Sequence, residues 1–221
     1  MKASRVWKRA LGTLFVFLAM IAADACAQMN VFVSIAPQAD FVERIAGPLA
    51  SVNVLVGPGQ NHHTFEPTPK QMAELASAKL YFTIGLPFET RLLEKIRASN
   101  PGLKCVDTCE GVALRAMETG DEHAEHDDGH GPGATDPHVW LSPLNAKIIA
   151  SNVAKALKEA DAAHTAEYER NLAELLKALD ESHSRISGIL APFKGDAFYV
   201  YHPAFGYFAD AYGLRQIAVE I

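Results

Sequence analysis

Short β-branched runs alternate with helical stretches through the first half of the chain, and this alternation restricts the fold more than any other feature. "VFVSI" (31–35), "SVNVLV" (51–56), "LYFTIG" (80–85) and "KCVD" (104–107) read as strands. Between them, "PQADFVERIAG", "PTPKQMAELASA" and "FETRLLEKIRAS" set apolar residues at helical spacing, each with a Pro or Thr near its start. That rhythm predicts an α/β fold, a parallel sheet with helical crossovers. Ligands in such sheets sit beyond the carboxyl ends of the strands. "GPGQNHHTFEP" follows the second strand at that edge.

The second half is organised differently. Residues 118–136, "ETGDEHAEHDDGHGPGATD", have no apolar periodicity and read as a loop. Order resumes at "DPHVWLSP", followed by a helix from about Pro143 to Ala160. Residues 165–190 then run without Pro and with Gly only near the end. At 1.5 Å per residue, such a helix reaches about 39 Å. Tyr168, Leu172, Leu175, Leu176, Leu179, Ile186 and Ile189 keep one face of it, which should pack against other elements. After Pro192 the alternation restarts: "AFYVY" (197–201) as strand, "PAFGYFADAYG" (203–213) as helix, "QIAVEI" (216–221) as strand. The expected organisation is a βα lobe over 28–160 carrying the His-rich loop 118–136, a connecting helix over 165–190, and the start of a second, incomplete βα lobe over 191–221.

Residues 1–27 have a basic head (Lys2, Arg5, Lys8, Arg9), an apolar run and a small-x-small ending at Ala25-Cys26-Ala27. They read as a secretory signal peptide cut before Gln28. The apolar run is about 14 residues where a membrane span takes roughly 20. Acylation of Cys26 would want a branched apolar residue at position 23, where Ala23 stands. The whole chain has a net charge of −6, and removing the leader takes it to about −9. This acidity argues against nucleic acid or anionic lipid as partner and favours cations. Cys105 and Cys109, in "CVDTC", could close a small disulfide ring in an oxidising compartment, and two cysteines alone make no zinc site.

Three of the nine histidines stand at equivalent places, after or near a candidate strand and before a helix: His63, His138 and His202. Neutral imidazole suits zinc, and three such nitrogens with a carboxylate or water in the fourth place make a tetrahedral site. Spacings of this length form no motif alone, so the surrounding words carry the case. "HTFEPTP", "DPHVWLSP" and "HPAFGYFADAYGL" resemble the three ligand segments of the metal-binding receptors of bacterial ABC importers for zinc and manganese. The resemblance runs from about Asn30 to Ile221.

The resemblance implies two βα lobes with parallel sheets joined by one long rigid helix, with the metal between them. It implies His63 and His138 as ligands from the first lobe and His202 from the second. Manganese receptors of the family typically have Glu at the third segment, so histidine there points to Zn2+ ahead of Mn2+. The fourth ligand of the family commonly comes from a later acidic residue, for which no matching position exists here. Water, His62 or Glu66 could stand in, and Glu66 could equally support a ligand imidazole. His123, His126 and His130, among Asp121, Glu122, Glu125, Asp127 and Asp128, read as an accessory loop for capturing cations weakly, since ordering it costs entropy. A solvated linker is the alternative. His164 and His183 read as surface residues.

The implied function is a periplasmic zinc receptor, monomeric, that is no enzyme and has no small-molecule substrate besides the ion, which it hands to an ABC-type membrane permease. A secreted zinc hydrolase is a rival, because three histidines with an open position also describe a catalytic site. The chain has no His-Glu-x-x-His helix to support that reading. A metal-buffering surface protein is a third.

Overall fold

The computed structural model describes residues 28–61, 64–117 and 135–219. The leader reading of residues 1–27 therefore lies outside the described residues. The first lobe is a four-stranded parallel sheet of β1 (Met29–Ile35), β2 (Ala50–Val56), β3 (Leu80–Thr83) and β4 (Lys104–Asp107), in the order β2-β1-β3-β4. Val31 pairs with Val52 on one side and Leu80 on the other, and Tyr81 with Cys105. The two inner strands are covered on both faces: Val31, Val33, Leu80, Tyr81 and Phe82 have no exposure. Near-continuous apolar runs of this kind are what a doubly covered parallel sheet requires.

The crossovers are helices α1 (Ala36–Ala46), α2 (Pro69–Leu75) and α3 (Pro87–Ser99). Each has a proline in its first turn, where the missing N–H has no intrahelical partner to lose. Thr68 caps α2 by accepting from the Gln71 amide at 3.2 Å. α1 ends at Gly47, whose φ of 53° lets the chain turn off the helix axis. The expected strand over 80–85 stops at Thr83 instead. The reason is Glu89 in the first turn of α3: its carboxylate accepts from the amides of Ile84, Gly85 and Leu86 at 2.8–3.1 Å, which peels these residues off the sheet.

The strand order reverses between β1 and β3, and α/β sheets usually open a ligand crevice at such a reversal. Here the protein's own polar groups fill it. Ser34 donates to Glu89 and shares a 2.8 Å hydrogen bond with the Tyr81 hydroxyl. Gln38 accepts from the Ser34 amide at 3.0 Å and donates to Thr108, which donates to the Thr83 carbonyl at 2.7 Å. Burial pushes the Glu89 carboxyl up to about 7, against the hydrogen bonds from Ser34 and the three amides.

Helices α4 (Pro143–Ala160) and α5 (Thr165–Leu190) follow. α5 packs along α4 and α1, and Asn171 donates to the Ile45 carbonyl at 2.9 Å. Tyr168 and Leu175 are sealed beneath it, with Leu172, Leu176 and Leu179 partly buried. The apolar face emerges beyond that point: Ile189 is 58% exposed, against the packing expected of it. α5 has run past the first lobe by then. A second parallel pair, β5 (Ala197–Val200) and β6 (Arg215–Ala218), is bridged by α6 (Gly206–Tyr212). The fold is thus two βα lobes, parallel in both sheets, with one long helix joining them. Among the described residues no helix is long and apolar enough to cross a membrane.

Cys105 and Cys109 are free thiols, against the disulfide expected between them. Each sulfur is directed at a different carbonyl, Leu103 at 3.8 Å for Cys105 and Ile84 at 3.4 Å for Cys109. Burial raises both thiols, Cys109 to about 12, so neither is an activated nucleophile.

Candidate metal centre

His138 and His202 meet between the lobes. His138 precedes a single 3-10 turn, Val139–Leu141, that leads into α4. The chain enters that turn from an isolated antiparallel bridge between Ala116 and Thr135. His202 follows β5 and precedes α6, and Gln216 of β6 holds this segment by accepting from the Phe205 amide at 2.6 Å. The two imidazoles come from positions 64 residues apart, and their rings lie edge to face with centroids 5.1 Å apart. Their Nε2 atoms are 3.3 Å apart.

That separation is informative. Two nitrogens bound to one zinc at 2.0–2.1 Å with tetrahedral angles lie about 3.3–3.4 Å apart. The donor set and spacing therefore fit one ion with little movement. His138 is 3% exposed, His202 half-buried, and Trp140 lies 5.4 Å from the His138 ring. Such shielding strengthens electrostatic contacts with a captured cation.

Asp136 aims His138. Its Oδ1 accepts from both the His138 backbone N–H at 2.9 Å and the ring Nδ1 at 2.8 Å. With Nδ1–H given to the carboxylate, the outward Nε2 of His138 carries the lone pair and faces the Nε2 of His202. Asp136 has no exposure, and its other oxygen faces Arg115 at 3.4 Å. Tyr207 of α6 donates its hydroxyl to the Asp136 carbonyl at 2.9 Å, and burial raises that hydroxyl above its ordinary range.

Sequence reasoning named Glu66 as the carboxylate behind a ligand and passed over Asp136. The missed signal was the Asp-Pro-His triplet, in which a carboxylate two residues before an imidazole can bend back to its Nδ1. Arg115 left no signal, because its partners are spread along the chain. Glu66 itself is exposed and edges a groove with Pro67, Pro87 and Arg91. His62, His63, His123, His126 and His130 lie outside the described residues. Among the described residues no group of three or more His, Cys, Asp or Glu side chains is placed to hold one ion. His164 bonds Asp161 at 2.6 Å where α4 meets α5, and His183 bonds the Tyr212 hydroxyl at 3.2 Å.

The family profile described as "Zinc-uptake complex component A periplasmic" matches residues 31–221. The zinc-binding lipoprotein AdcA of Streptococcus pneumoniae serotype 4 is 30% identical over 207 residues, covering 89% of this chain and 40% of that protein. The iron-binding protein YfeA of Yersinia pestis is 31% identical over 221 residues, 94% of this chain and 67% of its own. A crystal structure of ZnuA aligns with a TM-score of 0.77 and 39% identity, over 88% of this chain and 71% of that one. The chain thus spans 40% of the length of AdcA and about two thirds of YfeA.

Proposed function

We propose that this chain, which belongs to the periplasmic zinc-uptake component A family, captures Zn2+ outside the cytoplasm and delivers it to an ABC-type membrane permease, catalysing no reaction itself. The observation that carries this reading is the 3.3 Å separation of the His138 and His202 nitrogens, with Asp136 fixing the His138 tautomer. His63 is the third ligand in this reading, with Glu66 its supporting carboxylate. His62, His123, His126 and His130 serve as accessory capture groups. Residues 1–27 direct the chain to the periplasm, where it acts as a monomer. Residues 28–160 and 191–221 form the two sides of the site, and the helix over 165–190 spaces them.

Zinc is favoured over manganese because every proposed protein ligand is an imidazole, whereas manganese prefers oxygen donors. Relatives differ on this point: the Streptococcus mitis relative is named a manganese ABC transporter substrate-binding lipoprotein, and the Yersinia pestis one an iron-binding protein.

The test is competitive zinc titration of the chain from Gln28 onward, beside His138→Ala and a version lacking residues 118–134. Tight one-to-one binding that survives loop deletion and collapses in His138→Ala is the expected result. Weak, multi-site binding that disappears with the loop would overturn the reading.

A further inference from the structure

The His138–His202 pair is backed by a cation, Arg115, that touches both lobes. Arg115 belongs to the first lobe, yet its guanidinium bridges one carboxylate from each lobe. Nη1 lies 3.4 Å from Asp136 Oδ2, and Nε lies 3.0 Å from Asp210 Oδ2 on α6. The Arg115 side chain is only 19% exposed and Asp136 not at all. A buried carboxylate that loses one cationic partner is left with a large desolvation cost, which holds the guanidinium on Asp136; the Asp210 arm is exposed and weaker.

Two further features make the contact specific to these residues. A Cβ built on Gly206, at the start of α6, would lie 1.3 Å from Arg115 Nη1 and 2.9 Å from Asp136 Oδ2. The helix backbone therefore lies flush against the guanidinium, a place no other residue type can take without expelling it. Beside it, the Tyr207 hydroxyl donates to the Asp136 carbonyl at 2.9 Å and accepts from the Arg115 backbone N–H at 3.3 Å. His202 lies four residues before Gly206, and the intervening turn is pinned to β6 through Gln216.

We propose that Arg115 is a positioning residue: by clasping the start of α6 to the carboxylate behind His138, it sets the two imidazoles at the separation that one captured ion needs. This rests on the metal-capture reading above. The planar fork of arginine engages two carboxylates at fixed angles, which a lysine ammonium cannot do. Asp136 is the shared element, since one carboxylate both aims His138 and receives the clasp.

The experiment compares the parent chain with Arg115→Gln, Arg115→Lys, Gly206→Ala and Asp210→Asn. It reads the rate of zinc loss to a chelator, the visible ligand-field absorption of the Co2+ form, and hydrogen exchange of the α6 amides without metal. Loss of a group that supports a metal ligand typically costs 10–100-fold. Arg115→Gln and Gly206→Ala should each lose zinc faster by about that factor and weaken the Co2+ bands, and lysine should not rescue. Asp210, 62% exposed, should matter less, within about fivefold. Gly206→Ala removes no charged group and only displaces the guanidinium, so it reads the geometry even if Arg115→Gln folds poorly. Unchanged zinc loss and Co2+ spectra in both variants, with only the α6 exchange faster, would reduce the clasp to a structural contact and overturn the proposal. If the parent binds no metal, the capture reading fails by itself. Exchange of α6 in the metal-free chain then decides the clasp: about tenfold faster in Arg115→Gln supports it, and no change removes it.

Discussion

Asp136 and Glu89 are both acidic side chains with almost no exposure, 0% and 3%, yet their partners differ in kind. Glu89 is held by three backbone amides and a serine hydroxyl, all within the first lobe, and among the described residues no cation pairs with it. Asp136 is held by an imidazole, a guanidinium and one amide, and the guanidinium also reaches the other lobe. Amides fixed in a turn can only anchor the chain locally. Side-chain partners can transmit position, so the same chemical group closes a crevice in one place and aims an imidazole in the other.

Several substitutions would break this contrast or sharpen it. The largest effect is expected at His138 itself. His138→Ala should weaken zinc binding more than about a hundredfold, beyond the loss typical of a supporting partner, in a chelator competition titration. An affinity within tenfold of the parent would mean that the pair is no binding site.

Next comes the pH dependence of Glu89. Its carboxyl titrates near 7 when folded and near 4.5 when unfolded. The folded state therefore holds the proton more tightly, and its stability falls as pH rises through that window. The fall should be on the order of 3 kcal/mol relative to Glu89→Gln, which cannot titrate. Urea unfolding of the metal-free forms across pH 4.5 to 7 measures it. Parallel curves for the two proteins would show that Glu89 carries no such linkage. Zinc affinity at fixed pH should be the same in both.

Asp136→Asn should do the reverse, weakening zinc by about 10–100-fold while the chain stays folded. An asparagine oxygen can still accept from Nδ1, but it loses the charge that meets Arg115. A variant that instead unfolds with unchanged affinity would place Asp136 in the same class as Glu89. The smallest effect is expected of Glu66→Ala, within about fivefold, because an exposed carboxylate is screened by water. A loss equal to that of Asp136→Asn would make Glu66 an equal support.

The contrast between the two carboxylates also marks what the sequence could tell. Alternation of apolar strands with helical spacing announced the parallel lobes, since burial on both faces leaves a continuous β-branched run such as "VFV" at 31–33. The long helix was legible for a similar reason: no proline interrupts it and its apolar face keeps register. Strand order was not legible, because it depends on which sheet face each crossover helix covers. His138 and His202 could be singled out by their flanking words, but their meeting at 3.3 Å could not, as it depends on how two lobes are set against each other. Glu89 looked like one more acid on an amphipathic helix. Its burial and the amides and Ser34 hydroxyl gathered around it distinguish it from the exposed Glu94 on the same helix.

The short helix α6 is supported near both ends. At its start, Gly206 and Tyr207 rest on Arg115 and Asp136. At its end, the Tyr212 ring lies 5.6 Å from that of His183 on the long helix, and its hydroxyl bonds the same imidazole. In mechanical terms α6 is a beam on two bearings, and His202 sits just outside the first. Remove that bearing and the start of the beam, with the imidazole just outside it, is left to the Gln216 tie alone. If the chain delivers its ion as proposed above, release would need least force at the Arg115 end.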